Sequence, residues 1–323
     1  MTKQEKAMWG LFAGLLIFLF LLSSTDLIIK EKKTEVYPVS IIISDTTDEN
    51  YVNFRKGVEQ AAAEYHVDIS FITLFEWGNA EHQMSLVRRE IEDGAAAVIL
   101  DPVDAAGCLG LLEEVNLGRP LIIMGPLLPN EQVQSGVGID LHEAGKRLGE
   151  AIVQENPSTL PIYLFTEKLE VGYRRELYEG LLSVLSEQGR ETVLCEKRTE
   201  NTYQKVIEGT VYPGSGMAVI AALDADSTAE AASIIGGSPV YGNYIAGLYG
   251  IGTAPSLLNQ LDQGVIRGIL VSNQFDEGYL CVKKAVEAIQ KKGIRESIVL
   301  ESHYIEKEQL QERQYERILY PID

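Results

Sequence analysis

A chain of 323 residues, 46% hydrophobic and 23% charged, is long enough for about two folded bodies. Its formal net charge of -19 speaks against nonspecific attraction to nucleic-acid phosphates. Three widely spaced cysteines (Cys108, Cys195, Cys281) and four scattered histidines (His66, His82, His142, His303) form neither a disulfide framework nor a metal-ligand spacing, so no metal or cofactor is expected.

Residues 7–25, AMWGLFAGLLIFLFLLSST, carry no charge and have the length of a helix that spans a bilayer. Lys3 and Lys6 precede the run and Lys30, Lys32 and Lys33 follow it, so charge alone does not orient it. No cysteine follows to carry a lipid, while the small residues Ser23, Ser24 and Thr25 leave cleavage open. The expectation is a single-pass anchor in the cell membrane, with the folded part extracytoplasmic; a cleaved signal peptide is the alternative.

Residues 31–37 form a charged linker. A β-branched strand over 39–43 leads through a polar turn, 44–50, into a helix whose inner face is Tyr51, Phe54, Val58, Ala61 and Tyr65. A strand over 67–74 and a helix over 80–91 follow, the helix with Met84, Val87 and Ile91 on one side. The stretch 95–104, AAAVILDPVD, organises this half. A run that is apolar at every position must be covered on both faces, as a central parallel strand is. Pro102 ends the pairing and Asp104 is placed to cap the helix 105–115. A strand over 120–124 completes β-α-β-α-β-α-β, a parallel doubly wound sheet. In such sheets ligands bind beyond the carboxyl ends of the strands.

The pattern then restarts with a short strand at 136–139 and a helix at 141–154. Strands are expected at 160–165, 192–196, 217–223, 246–251 and 268–272, with helices between them. One of those helices carries Tyr173, Leu177, Leu181 and Val184 inward; the others cover 203–211, 227–235 and 255–263. A long helix over 276–291, a last strand over 298–304 and a charged, helical or frayed stretch at 307–317 close the chain. No Ser/Pro-rich tether separates the two bodies, so several closely spaced strands are expected to join them around a cleft.

No phosphate loop, nucleophile elbow, HExxH or CxxC is present, so no enzyme is expected. The glycine-rich stretch 247–252, GLYGIG, lacks dinucleotide spacing and reads as tight turns. What recurs is a polar residue just after each apolar strand: Asp48 and Asn50, Asp104, Asp224, and Asn273, with Arg175 early in a helix. Each is open to a second reading as a cap or a solvated side chain. Together they suit a polyol, which planar polar groups bind edge-on while aromatic faces such as Tyr51, Trp77 and Tyr203 cover its C–H surface.

The phrases ISDTTDENYVNFRKGVEQAA, VILDPVD, GIDLHEAGKRLGEAI, YRRELYEGL, ALDADSTAEAA and SNQFDEGYLCVKKAVEAI, in this order, resemble the type I periplasmic binding proteins, in particular the ribose/galactose-type sugar-binding family. The resemblance covers about 38–304. It implies two doubly wound lobes that exchange strands through a hinge, lobe one 36–139 with 274–302 and lobe two 140–273 with 303–323, behind the segment 1–35. It also implies closure around a ligand.

Carried over by position, the family's ligand contacts fall on Asp48, Asn50, Tyr51, Asp104, Arg175 in preference to Arg174, Tyr203, Asp224 with Asp226 as alternative, and Asn273. Arg175→Ala is then expected to cost about 2 kcal/mol of affinity. One aromatic is lost, and Ile251 stands where the family has an Asp, which weighs against a simple pentose or hexose. The extra acid at Asp48 favours a guest of amino or cationic character. The implied role is an extracytoplasmic solute-binding protein that presents a sugar or sugar-like molecule to a membrane transporter of the ABC type. A second role is ligand sensing beside a histidine kinase, which an anchor without a lipid slightly favours. A lactose-repressor-type regulator shares the fold but needs a basic N-terminal helix-turn-helix, where this chain is apolar.

Overall fold

Where the chain runs apolar at consecutive positions it forms strands covered on both faces. The computed structural model describes residues 2–24, 35–46, 48–75, 78–197, 202–211 and 216–321. Helix α1 (Lys3–Ser24) forms a compact unit of its own, and Lys3–Leu21 is long and apolar enough to cross a membrane. The unit from Tyr37 onward contains two sheets.

In chain order the first part is β1 (Tyr37–Ile42), α2 (Val52–Tyr65), β2 (Val67–Ile72), α3 (Ala80–Glu92), β3 (Ala97–Leu100), α4 (Ala105–Glu114), β4 (Leu121–Met124) and β5 (Val133–Ile139). The chain then builds α5 (Leu141–Glu155), β6 (Ile162–Thr166), α6 (Arg174–Glu187), β7 (Thr192–Glu196), α7 (Tyr203–Val211), β8 (Ala218–Ala222) and α8 (Ala225–Gly236). Next come α9 (Pro239–Tyr244), β9 (Ile245–Ile251), α10 (Pro255–Asp262) and β10 (Gly268–Ser272). Last are α11 (Gln274–Ile289), β11 (Glu296–Leu300), β12 (Ser302–Glu306) and α12 (Arg313–Leu319).

One six-stranded sheet has the order β11-β5-β4-β3-β1-β2, the other β12-β10-β9-β8-β6-β7. The chain therefore passes between lobes after β5, after β10 and after β11. Alternation along each central strand feeds two cores. Val98 and Leu100 of β3 pack beneath α3 and α4, while Ala97 and Ile99 face α2 and α11. In β8, Ile220 and Ala222 face one layer, and Val219 and Ala221 the other.

Several expectations change. The single strand over 298–304 is two strands, broken at the exposed Glu301, where the chain changes sheet. β12 runs antiparallel to β10, so the second sheet is not wholly parallel. Helix α9, with Ser238 capping and Pro239 at its start, stands where the sequence pattern predicts no helix. The stretch 247–252 is mostly strand β9 rather than turns: Gly250 lets Thr228 lie against the backbone, and only Gly252, at φ +136°, turns.

The C-terminal segment packs its Leu310 and Leu319 into the second lobe's core. It also reaches the first lobe: Lys56 Nζ donates to the Pro321 carbonyl at 2.9 Å, and Arg317 pairs with Asp276 at 3.1 Å.

Candidate functional site

The carboxyl ends of both sheets converge on one cavity. From the first lobe, Ser44 follows β1 and Asp101 follows β3. Ser44 Oγ and the Tyr51 hydroxyl donate to Asp101 Oδ2 at 2.6 and 2.7 Å, and the Ser44 N–H adds a third bond at 3.3 Å. The buried Gln83 side chain ties the two strand ends together, donating to the carbonyls of Asp101 (2.7 Å) and Ile43 (3.3 Å) and accepting from the Val103 N–H (3.0 Å). Burial pushes the Asp101 carboxyl up from its ordinary range, while its bonds to Ser44 and Tyr51 and the charge of Arg174 pull it back. Behind it on α11, Glu277 is pushed up to about 8, first by burial and then by Asp101.

The second lobe contributes Tyr173 and Arg174 at the start of α6, Asp224 before α8 and Thr253 after β9. Asp224 Oδ1 accepts from the Ser227 N–H at 2.8 Å, which caps α8. Its Oδ2 accepts from Thr166 Oγ1 (3.0 Å) and the Glu167 N–H (3.1 Å), with Arg174 Nε at 3.7 Å.

The lobes meet directly around these groups. The Gly172 N–H donates to the Val103 carbonyl at 2.6 Å, and Asn50 Nδ2 to Asp226 Oδ1 at 2.9 Å. Gln274, one residue into α11 from the hinge, accepts from Thr253 Oγ1 at 2.6 Å and donates to the Asn50 carbonyl at 3.2 Å. The cavity of about 260 Å³ takes its polar lining from Ser44, Asp101, Arg174, Asp224, Thr253, Ser272 and Gln274, with Tyr173 as its aromatic wall. The Tyr173 hydroxyl is buried and has no hydrogen-bond partner among the described residues. Among the described residues no His/Cys/Asp/Glu group is arranged to hold a metal ion.

The residues singled out from sequence divide. Asp224 lines the cavity, Tyr51 stands behind Asp101, and Asn50 and the alternative Asp226 join the lobes. Asp104 and Asn273 are not among the residues lining this cavity; each caps a helix, accepting from the N–H of Gly107 and of Asp276 at 3.0 Å, and the Asp104 backbone bridges to Gly172 of the other lobe. Asp48 pairs with Arg55 outside the cavity. Arg175 turns outward to Glu170, and Arg174 takes the cavity position instead, because adjacent helical residues point about 100° apart. Tyr203 is a core residue, not a cavity wall: it is fully buried, stacked on Phe165 at 4.4 Å and bonded to Ser227 at 2.8 Å. Trp77 lies outside the described residues. Ser44, Asp101, Tyr173, Thr253 and Gln274 also line the cavity; Asp101 and Gln274 carry a sequence signal, Asp101 directly after the apolar run of β3 and Gln274 directly after Asn273 at the end of β10.

Among curated proteins, no sequence matches this chain. Its structure is similar to a solute-binding protein of an ABC transporter from Agrobacterium vitis bound with alpha-D-tagatopyranose (TM-score 0.76, 17% identity, 88% of this chain and 99% of that one). It is also similar to an ABC transporter solute-binding protein from Bacillus halodurans with bound myo-inositol (0.73, 18%, 87% and 98%). A glucose-galactose binding protein from Geobacillus stearothermophilus gives 0.72, 18%, 86% and 99%. At such identities these likenesses show the fold. The family model described as periplasmic binding protein domain matches residues 39–293. With two α/β lobes meeting over a cavity and that match spanning most of its length, the chain belongs to the periplasmic binding protein domain family, a family of substrate binders rather than enzymes.

Proposed function

We propose that this protein is an extracytoplasmic solute-binding protein. Its lobes, taken as 36–139 with 274–302 and 140–273 with 303–323, close on a small sugar or sugar-like solute and present it to a membrane transporter. The observation that carries this is the cavity supplied by both lobes, Ser44, Asp101 and Gln274 opposite Arg174, Asp224 and Thr253. At about 260 Å³ it lies below the ~300–1,000 Å³ of drug-sized pockets and suits a guest of one ring. The sugar and inositol named with the structural neighbours fit that size class.

A thermal-shift panel of pentoses, hexoses, amino sugars and inositols tests the reading. A ligand at 100 times its Kd adds about 2.7 kcal/mol of stability. A flat response across the whole panel rejects it. Closure has its own test. Asn50 Nδ2 bridges to Asp226 across the lobes, so Asn50→Ala is expected to raise the Kd about three- to tenfold by calorimetry. An unchanged Kd would remove this contact from the closing reaction.

The apolar α1 favours a second role, in which the protein stays at the membrane and reports occupancy to a sensor kinase. Ligand-dependent capture of a kinase ectodomain supports it; equal capture with and without ligand counts against it.

A further inference from the structure

We propose that the segment 307–321 is a strap: it is fastened to the second lobe, clips onto α2 of the first, and so holds the cleft shut before any guest arrives. The inference rests on the lobe closure proposed above and adds its regulation. The two sides of the segment are built differently. Toward the second lobe its contacts are apolar. Leu310 and Leu319 sit in the same core as Phe165, Ile220 and Ile305, and Tyr315 packs edge-on against His303 of β12 at 5.4 Å. Close-packed side chains of this kind part only when the core itself opens, so the segment travels with the second lobe.

Toward the first lobe the contacts are polar and few. From α2, Asn53 Nδ2 donates to the Leu319 carbonyl at 3.4 Å and Lys56 Nζ to the Pro321 carbonyl at 2.9 Å. Beside these bonds lies a crevice of about 480 Å³, walled by Gln60 and Phe275 on one side and Tyr320 and Pro321 on the other. The two surfaces are therefore not sealed into a common core, and their hydrogen bonds can break without exposing one. The chain crosses between lobes after β5, β10 and β11, and none of these crossings lies in α2. Turning the first lobe away from the second slides α2 along the strap and breaks the Asn53 and Lys56 bonds. Arg317 and Asp276 form a different kind of contact. Asp276 lies in the first turn of α11, just past the crossing after β10, and the pair is 73% and 35% exposed, so it contributes little. No residue of the strap lines the ligand cavity, so the strap acts on the cleft through closure alone. Bonds made in the closed arrangement and lost in the open one shift the population toward closed.

The test uses the full chain in detergent micelles with no sugar added. Spin labels go on Glu81→Cys at the start of α3 and Lys168→Cys just after β6; both positions are exposed, and the three native cysteines are buried. Pulsed dipolar spectroscopy then reads the ratio of separated to joined lobes. The wild type is expected to show a joined population without any guest. Asn53→Ala combined with Lys56→Ala is expected to raise the separated-to-joined ratio about tenfold, and Arg317→Ala less than twofold. Lys56→Ala alone touches neither core; it is expected to raise the ratio about threefold, and it decides the matter if Asn53→Ala folds poorly. An unchanged ratio in Lys56→Ala, or a wild type with no joined population, would overturn the strap and leave the sugar panel to judge the binding reading by itself. A flat panel beside a shifted ratio would remove the solute and keep the strap.

Discussion

Replacing Arg174 by alanine is expected to weaken ligand binding by about 2–3 kcal/mol, roughly 30- to 150-fold, while Arg175→Ala changes the Kd less than twofold. The two residues are neighbours in sequence, and their difference is one of orientation. The Arg174 side chain is 18% exposed and stands 3.7 Å from Asp224, itself 7% exposed, so its guanidinium works in a partly desolvated cavity. Loss of one partner from such a pair leaves the other charge buried without its cation. Arg175 and Glu170 are 51% and 62% exposed, where an ion pair contributes about 0–1 kcal/mol. Arg174 also occupies the first position of α6, where the helix dipole opposes a cation. Its placement there is explained by what it meets across the cavity. Calorimetry on the two variants with any ligand from the panel decides the matter; equal losses, or a larger loss at Arg175, would sink this assignment.

A sign of that orientation was present in the sequence. Arg174, Leu177 and Leu181 recur at helical spacing, and the two leucines are core residues, so Arg174 sits at the inward end of their stripe. Carrying the family's contact over by position favours Arg175 because it follows a motif rather than the helix face. The same logic explains the other misplacements. The residue after a buried strand was read as a ligand contact, yet Asp104 and Asn273 spend a side-chain oxygen on the first turn of the next helix. Asp224 does both: one oxygen caps α8, the other accepts from Thr166 and lies 3.7 Å from Arg174, and the residue lines the cavity.

Strands such as β3 and β8 were legible because continuous apolar runs need cover on both sides. The split between β11 and β12 was not. No glycine or proline marks Glu301, and only the pairing partners, β5 for one and β10 for the other, show that the chain changes sheet there. Tyr203 illustrates the remaining limit. An aromatic at the head of a helix reads the same from sequence whether it faces a ligand or, as here, stacks on Phe165.

Gly180→Ala is expected to destabilise the fold by about 3 kcal/mol, at the upper end of overpacking costs, and to lower the melting temperature by roughly 6–12 °C. Each lobe brings two helices together through reciprocal glycines. A methyl at Gly180 of α6 would run into the His142 carbonyl of α5, and one at Gly145 of α5 into the Leu177 carbonyl of α6. In the other lobe, Gly57 of α2 faces the Phe275 carbonyl, and Gly278 of α11 faces the Phe54 carbonyl. These contacts are backbone on backbone, so no side-chain rotation relieves them and the helices themselves must separate. Gly110 of α4 is the control: a methyl there meets nothing within 4 Å, and Gly110→Ala should be neutral or stabilising by about 0.5–1 kcal/mol. The crossings also set function. Arg174 lies six positions before Gly180 on α6, and Gln274 four before Gly278 on α11, so each glycine contact fixes how far a helix start projects into the cavity. Gly180→Ala should therefore weaken ligand binding as well as folding, by moving Arg174 away from Asp224. A variant that melts no lower than Gly110→Ala would mean that α5 and α6 do not touch through their backbones, and that something else holds Arg174 in the cavity.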